Sequence, residues 1–215
     1  MFKGKLCLTL CVLFVLALVS VPAAADAVYD NGPINGVTDF WTINFGFAVS
    51  DSFTISGGSS TITGFSFGSV AFPGDHILSV ELSITSSELG GTTYFDQVVN
   101  TTQSGCLVTQ YGFQVCTASA SFDGPTLRDG TYWVNLQNAV VDSGDPTFWD
   151  ENSGVGCQSP GCPSQASTQN IGTIPSESFT LYGNSNGGTV PEPGSLLLLM
   201  SGVLTAAGMV RKIRR

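Results

Sequence analysis

Trp41-Thr42-Ile43-Asn44-Phe45-Gly46-Phe47-Ala48-Val49-Ser50-Asp51-Ser52-Phe53-Thr54-Ile55 is the stretch that decides the fold. Its odd positions are Trp41, Ile43, Phe45, Phe47, Val49, Asp51, Phe53 and Ile55. An apolar side chain thus recurs at every second residue, with one interruption at Asp51. Period two marks strands with one buried face, because successive side chains leave the backbone on opposite sides. The interruption predicts a turn at Asp51 between two strands. The alternation returns in Leu78, Val80, Leu82 and Ile84, in Cys116, Ala118, Ala120 and Phe122, and in Tyr132, Val134, Leu136 and Val140. Phe179 and Leu181 predict a last strand. Clusters of Gly, Asn, Ser and Pro separate these runs. Many short strands without helical crossovers predict an all-β fold, an antiparallel and jelly-roll-like β-sandwich.

The chain has 215 residues, enough for one domain with appendages at about 150 residues per domain. Charged residues make up 11%, far below the roughly 25% of ordinary soluble chains, while 42% hydrophobic and 10% aromatic residues leave ample apolar surface to bury. The charges are also unevenly placed. Lys3, Lys5, Arg211, Lys212, Arg214 and Arg215 lie at the two ends. Residues 26–193 set Arg128 alone against all 16 acidic residues, a net charge of −15. Such a body repels phosphate backbones and anionic headgroups, which excludes nucleic acid as a partner.

Both ends read as addresses. Lys3 and Lys5 precede an apolar run at residues 6–19, and Val21-Pro22-Ala23-Ala24-Ala25 supplies small residues. This predicts a signal helix over residues 1–25, removed by signal peptidase after Ala25, with Ala27 the alternative. Residues 26–183 form the sandwich domain and 184–189 a Gly/Asn-rich linker, leaving 190–215 as a sorting and anchor segment. Residues 194–210 carry no charge. At 1.5 Å per residue they reach about 25 Å, close to the minimum that crosses a bilayer core of about 30 Å, which predicts a C-terminal transmembrane helix. Arg211, Lys212, Arg214 and Arg215 form its basic stop on the cytoplasmic side, so the body lies outside the inner membrane.

Cysteine usage agrees with that compartment. Cys7 and Cys11 fall in the signal, leaving Cys106, Cys116, Cys157 and Cys162. An even number outside the cytoplasm predicts two disulfides, with three pairings open. We prefer Cys106–Cys116, across a hairpin turned by Gln110-Tyr111-Gly112, and Cys157–Cys162, around the turn-rich Gln158-Ser159-Pro160-Gly161. The spacings do not match structural zinc knuckles.

Val190-Pro191-Glu192-Pro193-Gly194-Ser195, the apolar span and the arginine-rich end follow one another in order at the C-terminus. This arrangement resembles the PEP-CTERM sorting domain of Gram-negative bacteria. The resemblance implies that an exosortase, a membrane-embedded cysteine transpeptidase-like enzyme, recognises Pro191, Glu192 and Pro193 and processes the tail. It also implies association with exopolysaccharide production. The prolines favour this physically, since they remove backbone donors and hold an extended, accessible segment. The body is more loosely similar to the globular part of some PEP-CTERM proteins, on Tyr29-Asp30-Asn31-Gly32-Pro33, Val49-Ser50-Asp51-Ser52-Phe53-Thr54-Ile55 and Asp129-Gly130-Thr131-Tyr132-Trp133-Val134.

Chemistry is sparse. Gly64-Phe65-Ser66-Phe67-Gly68 matches a nucleophile elbow, but that elbow needs a following helix, and strand-like residues follow here. A bulge or turn at Gly64 is the better reading. His76 is the one histidine, which leaves no His-rich metal site and no His-based acid–base pair. Glu81 and Glu88 are candidates for the paired carboxylates of a glycosidase. Asp142, Asp145, Asp150 and Glu151 are hard oxygen donors on one loop and candidate calcium ligands, although not at EF-hand spacing. Phe148 and Trp149 are candidate sugar-stacking aromatics, while Trp133 reads as packing. The expectation is a non-catalytic protein without a resident cofactor, calcium being the exception to test. It would pass through an inner-membrane intermediate to the cell surface or extracellular matrix. There it would be a structural or weakly carbohydrate-binding component of the exopolysaccharide biofilm matrix; a secreted glycan-active hydrolase is the alternative.

Overall fold

The computed structural model describes residues 25–36, 39–109, 111–152 and 165–185. Twelve strands make up its regular structure. They are β1 (Asp26–Asp30), β2 (Phe40–Thr42), β3 (Ala48–Ala71), β4 (Ile77–Ser87), β5 (Gly90–Asn100) and β6 (Thr102–Val108), then β7 (Gln114–Ser121), β8 (Thr126–Val141), β9 (Phe148–Asp150), β10 (Ala166–Thr168), β11 (Gly172–Ile174) and β12 (Phe179–Ser185). The all-β expectation holds, and every strand pairing among the described residues is antiparallel. No helix among the described residues is long and apolar enough to cross a membrane. The predicted signal helix, the transmembrane helix and the Cys157–Cys162 pair lie outside the described residues.

Strand β3 organises the rest. It runs for 24 residues, and its first half pairs with β8 and β10. Gly57 and Gly58 have φ of 85° and 125°, and the β3–β8 register slips there, between Ile55 and Ser59. Only glycine adopts such angles without a Cβ clash, so the strand kinks at this point. Beyond the kink β3 pairs with β12 on one side, and β7 takes over from β8 at Gly64. Strand β8 leads on to β4 and β5, β12 to β1, and β7 to β6. Val80, Leu82, Ile84, Val134 and Leu136 from the first set share one core with Phe65, Phe67, Ala118, Phe179 and Leu181 from the second. Burial of each such aliphatic or aromatic side chain contributes about 1.5–3 kcal/mol.

The structure moves the predicted break. Asp51 is not at a turn: it lies within β3, fully buried, opposite Val134 and Ala166. The turn comes earlier, at Asn44–Phe47, where Phe47 N donates to Asn44 O at 3.1 Å. Phe45 (φ 55°) and Gly46 (φ 83°) adopt left-handed angles, which leaves Phe45 and Phe47 exposed. Leu78 and Val140 are exposed as well, because the β4–β8 register slips between Ile77 and Ser79 and again between Ser79 and Glu81, turning Ala139 and Val141 inward instead. The predicted linker also starts too early, since Asn184 and Ser185 belong to β12 and pair with Thr61 and Ser60.

Cys106 and Cys116 form the expected disulfide across the β6–β7 hairpin, with Cα atoms 4.1 Å apart. Replacing both (Cys106→Ser with Cys116→Ser) should lower unfolding stability by about 2–3 kcal/mol, read as a fall in the urea midpoint. A Cβ on Gly183 would overlap the Thr61 carbonyl oxygen, a backbone atom that cannot swing away. Gly183→Ala should therefore destabilise by about 1–3 kcal/mol in the same assay.

Candidate functional site

Strand β9 sits between β2 and the far end of β3. Alternation sends its three residues to different environments. Trp149 is fully buried, donates Nε1–H to Ser178 O at 2.9 Å, and meets the rings of Phe65, Phe67 and Phe179 edge-on at 6.1, 6.3 and 5.7 Å. The expectation that it stacks on a sugar is therefore corrected: it is core. Trp133 is half-buried in β8.

Phe148 points the other way and is half-buried. Its ring lies 4.7 Å from Phe40 and 6.3 Å from Phe113, and Phe113 lies 5.0 Å from Phe40 and 5.5 Å from Phe72. Phe72 is exposed, as are Leu107, Val108 and Tyr111 on the hairpin that carries Phe113. These rings come from four separate places in the chain. Only Phe148 could be singled out from sequence, because the others join it through pairing of β9 with β2 and β3.

The four candidate calcium ligands do not converge. Asp142 is exposed and accepts from His76 N at 2.9 Å, the hydrogen bond that chiefly holds its carboxyl below the usual range; His76 Nδ1 lies 3.2 Å from its other oxygen. Asp145 is exposed, and its backbone oxygen accepts from Asn44. Asp150 Oδ2 instead accepts from the amides of Asn35 (2.9 Å) and Gly36 (3.0 Å), and Glu151 Oε1 from Trp41 Nε1 (3.1 Å). Among the described residues no three His, Cys, Asp or Glu side chains are placed to share a metal ion.

Two further acids join this corner unforeseen. Asp51 Oδ2 accepts from Asn31 Nδ2, Ser176 Oγ and Glu177 N. Glu177 is fully buried and forms a β-bridge with Glu151. The one sequence signal was Asp51 standing in the apolar phase of its strand. Gly68 makes the corner possible, since a Cβ there would overlap Ile34 and crowd Asp150.

The remaining candidates are dispersed. Ser66 lies inside β3 with strand on both sides, its Oγ 3.2 Å from the Tyr182 hydroxyl, so the strand-to-helix setting of a nucleophile elbow is missing. The β3–β12 register slips opposite Gly64, which agrees with the expected bulge. Glu81 accepts from Gln137 and Asn138, and Glu88 from Ser167.

Comparison with known proteins bears on the tail. Residues 189–215 match the PEP-CTERM protein-sorting motif, so the chain carries the sorting signal of an exosortase substrate. That motif implies processing by an exosortase and export through the membrane to the cell surface. No curated protein matches the chain.

Burial pushes the Asp150 carboxyl up to about 6, against the pull of the Gly36 and Asn35 amides and with Glu151 adding to the rise. A raised folded value means that stability is fully present below about pH 4 and is lost as pH climbs toward 6. Asp150→Asn keeps an oxygen for both amides, and should make the fall of the urea midpoint between pH 4 and 6 shallower by up to one proton's worth of slope.

Proposed function

We propose that the protein is an exosortase-sorted β-sandwich that serves as a structural or weakly carbohydrate-binding component of the extracellular polysaccharide matrix, without catalysis of its own. The sandwich reading rests on two strand sets that share one core through β3. The matrix role rests on one observation: a sorting tail joined to a body that presents Phe40, Phe72, Phe113 and Phe148 as an aromatic surface. Flat aromatic faces take up the apolar faces of sugar rings. A body that carries 15 acids and one arginine disfavours anionic chains, so neutral glycans fit it best.

Cleavage after Ala25 suits the fold. Asp26 is the first residue of β1 and pairs with Gly183, and Ala27 pairs with Tyr182. Cleavage after Ala27 would remove the first two rungs of that ladder.

Two measurements test this reading. Pro191→Ala with Pro193→Ala, or loss of the exosortase, should leave the chain unprocessed in the inner membrane and deplete it from the surface fraction. Phe72→Ala with Phe148→Ala should cut retention on immobilised neutral polysaccharide at least fivefold, with unchanged secretion. Retention unaffected by those changes would leave a purely structural role, and release of reducing sugar by the unaltered protein would favour the hydrolase.

A further inference from the structure

Four segments meet behind β9: the exit of β1 at Asn31, β3 at Asp51, the end of β9 with Glu151 and Asn152, and residues 176–178 leading into β12. They are tied by side-chain bonds. Asn31 Nδ2 donates to Asp51 Oδ2 (3.1 Å), Ser176 Oγ (2.8 Å) and Glu177 O (2.6 Å), and Asn152 Nδ2 donates to Asn31 O (3.0 Å). Asp51 receives two more donors at Oδ2, Ser176 Oγ (3.0 Å) and Glu177 N (2.7 Å), and the Ser52 amide at Oδ1 (2.7 Å). Asp51 thus has the donor set that an ionised carboxylate needs.

Glu177 stands in contrast. It is fully buried, and neither carboxyl oxygen accepts a hydrogen bond from any described residue. The titratable groups around it are acids or phenol. Asp51 comes from β3, Glu151 faces it across the β-bridge, and Asp150 adjoins on β9. Behind these lie Asp39, next to Glu151, and the Tyr29 hydroxyl from β1, which donates to Asn31 Oδ1. Basic groups among the described residues are only Arg128, at a surface hollow beside Asp129, and His76, on Asp142. An ionised Glu177 would be a buried charge with three carboxylates nearby and no cation, the costliest arrangement a protein interior can hold. A shared metal ion would remove the difficulty, but the acids are not placed to hold one. A proton removes it without moving any atom.

We propose that Glu177 is carried as a neutral carboxylic acid and that its proton locks this four-way joint, so the body is held tightest in acidic surroundings and loosens steadily as the pH rises. Burial, with Asp51, Glu151 and Asp150 adding repulsion, drives its carboxyl well above the usual range, which agrees with the geometry. The sign follows directly. The folded state holds a proton that the unfolded chain has released above about pH 4.5, so stability falls as pH rises from there toward the folded value. Because Asp150 has its midpoint at about 6 and is almost fully ionised above pH 7, the slope that Glu177→Gln removes above pH 7 belongs to Glu177. An exported protein meets an external pH that the cell does not set, and this joint makes its firmness respond to it.

The test uses the full chain in mild detergent. Urea unfolding followed by tryptophan fluorescence at pH 7–9 should show the unfolding constant rising up to tenfold per pH unit, the slope of one proton. Glu177→Gln, which keeps the shape without the acid, should remove that slope and match or exceed the parent at pH 8.5. The infrared carbonyl band of a protonated carboxyl should persist at pH 7.5 in the parent and vanish in Glu177→Gln, a readout that does not depend on refolding. An equal slope in both proteins, or the absence of that band, overturns the proposal. So does calcium chloride abolishing the parent's slope at micromolar concentration, because the joint would then be a cation site.

Discussion

Strand β3 is the member on which the remaining structure depends. Its first half belongs with β8, β4 and β5, and its second with β12, β1, β7 and β6, so the two inner faces are joined covalently as well as by packing. Side chains alternate strictly along a strand, so a slip of one residue would expose the whole apolar set. The glycine kink at residues 57–58 and the slip at Gly64 each shift that phase by one residue, so that Phe53 and Ile55, then Ile62, then Phe65 and Phe67 all face the same core.

The electrostatics follow from a body almost devoid of basic groups. Most acids can sit at the surface at little cost, where water and salt screen them. The corner behind β9 is different, because Asp51, Asp150, Glu151 and Glu177 are all buried there. Asp51, Asp150 and Glu151 are met by hydrogen-bond donors, which is how a protein holds acids without cations. Hydrogen bonding there ties together segments far apart in the chain, which apolar packing alone does not specify as tightly.

The sorting tail and the aromatic surface are encoded in different ways. The tail is read by sequence, and residues 189–215 carry the sorting signal by themselves. The aromatic surface exists only once β2, β9 and the β6–β7 hairpin have been brought together, because Phe40, Phe72, Phe113 and Phe148 are scattered in the chain.

Much of the core was legible as alternation: Val49, Phe53 and Ile55, Val80, Leu82 and Ile84, and Phe179 and Leu181 are all buried as their phase requires. The Cys106–Cys116 bond was legible too, because a short turn between two alternating runs leaves few other partners. Alternation failed at Phe45, Phe47, Leu78 and Val140, where left-handed residues and register slips reset the phase without leaving a compositional trace. It failed more tellingly at Asp51 and Trp149. An acid in an apolar phase looks like a turn until its donors arrive from residues 31, 52, 176 and 177, and a tryptophan among acids looks exposed until two strands flank it. The sequence alone determined the strand character and the sorting address, since both depend on neighbours in the chain. Tertiary structure alone decided which polar groups are buried, because burial depends on partners that only folding brings within reach.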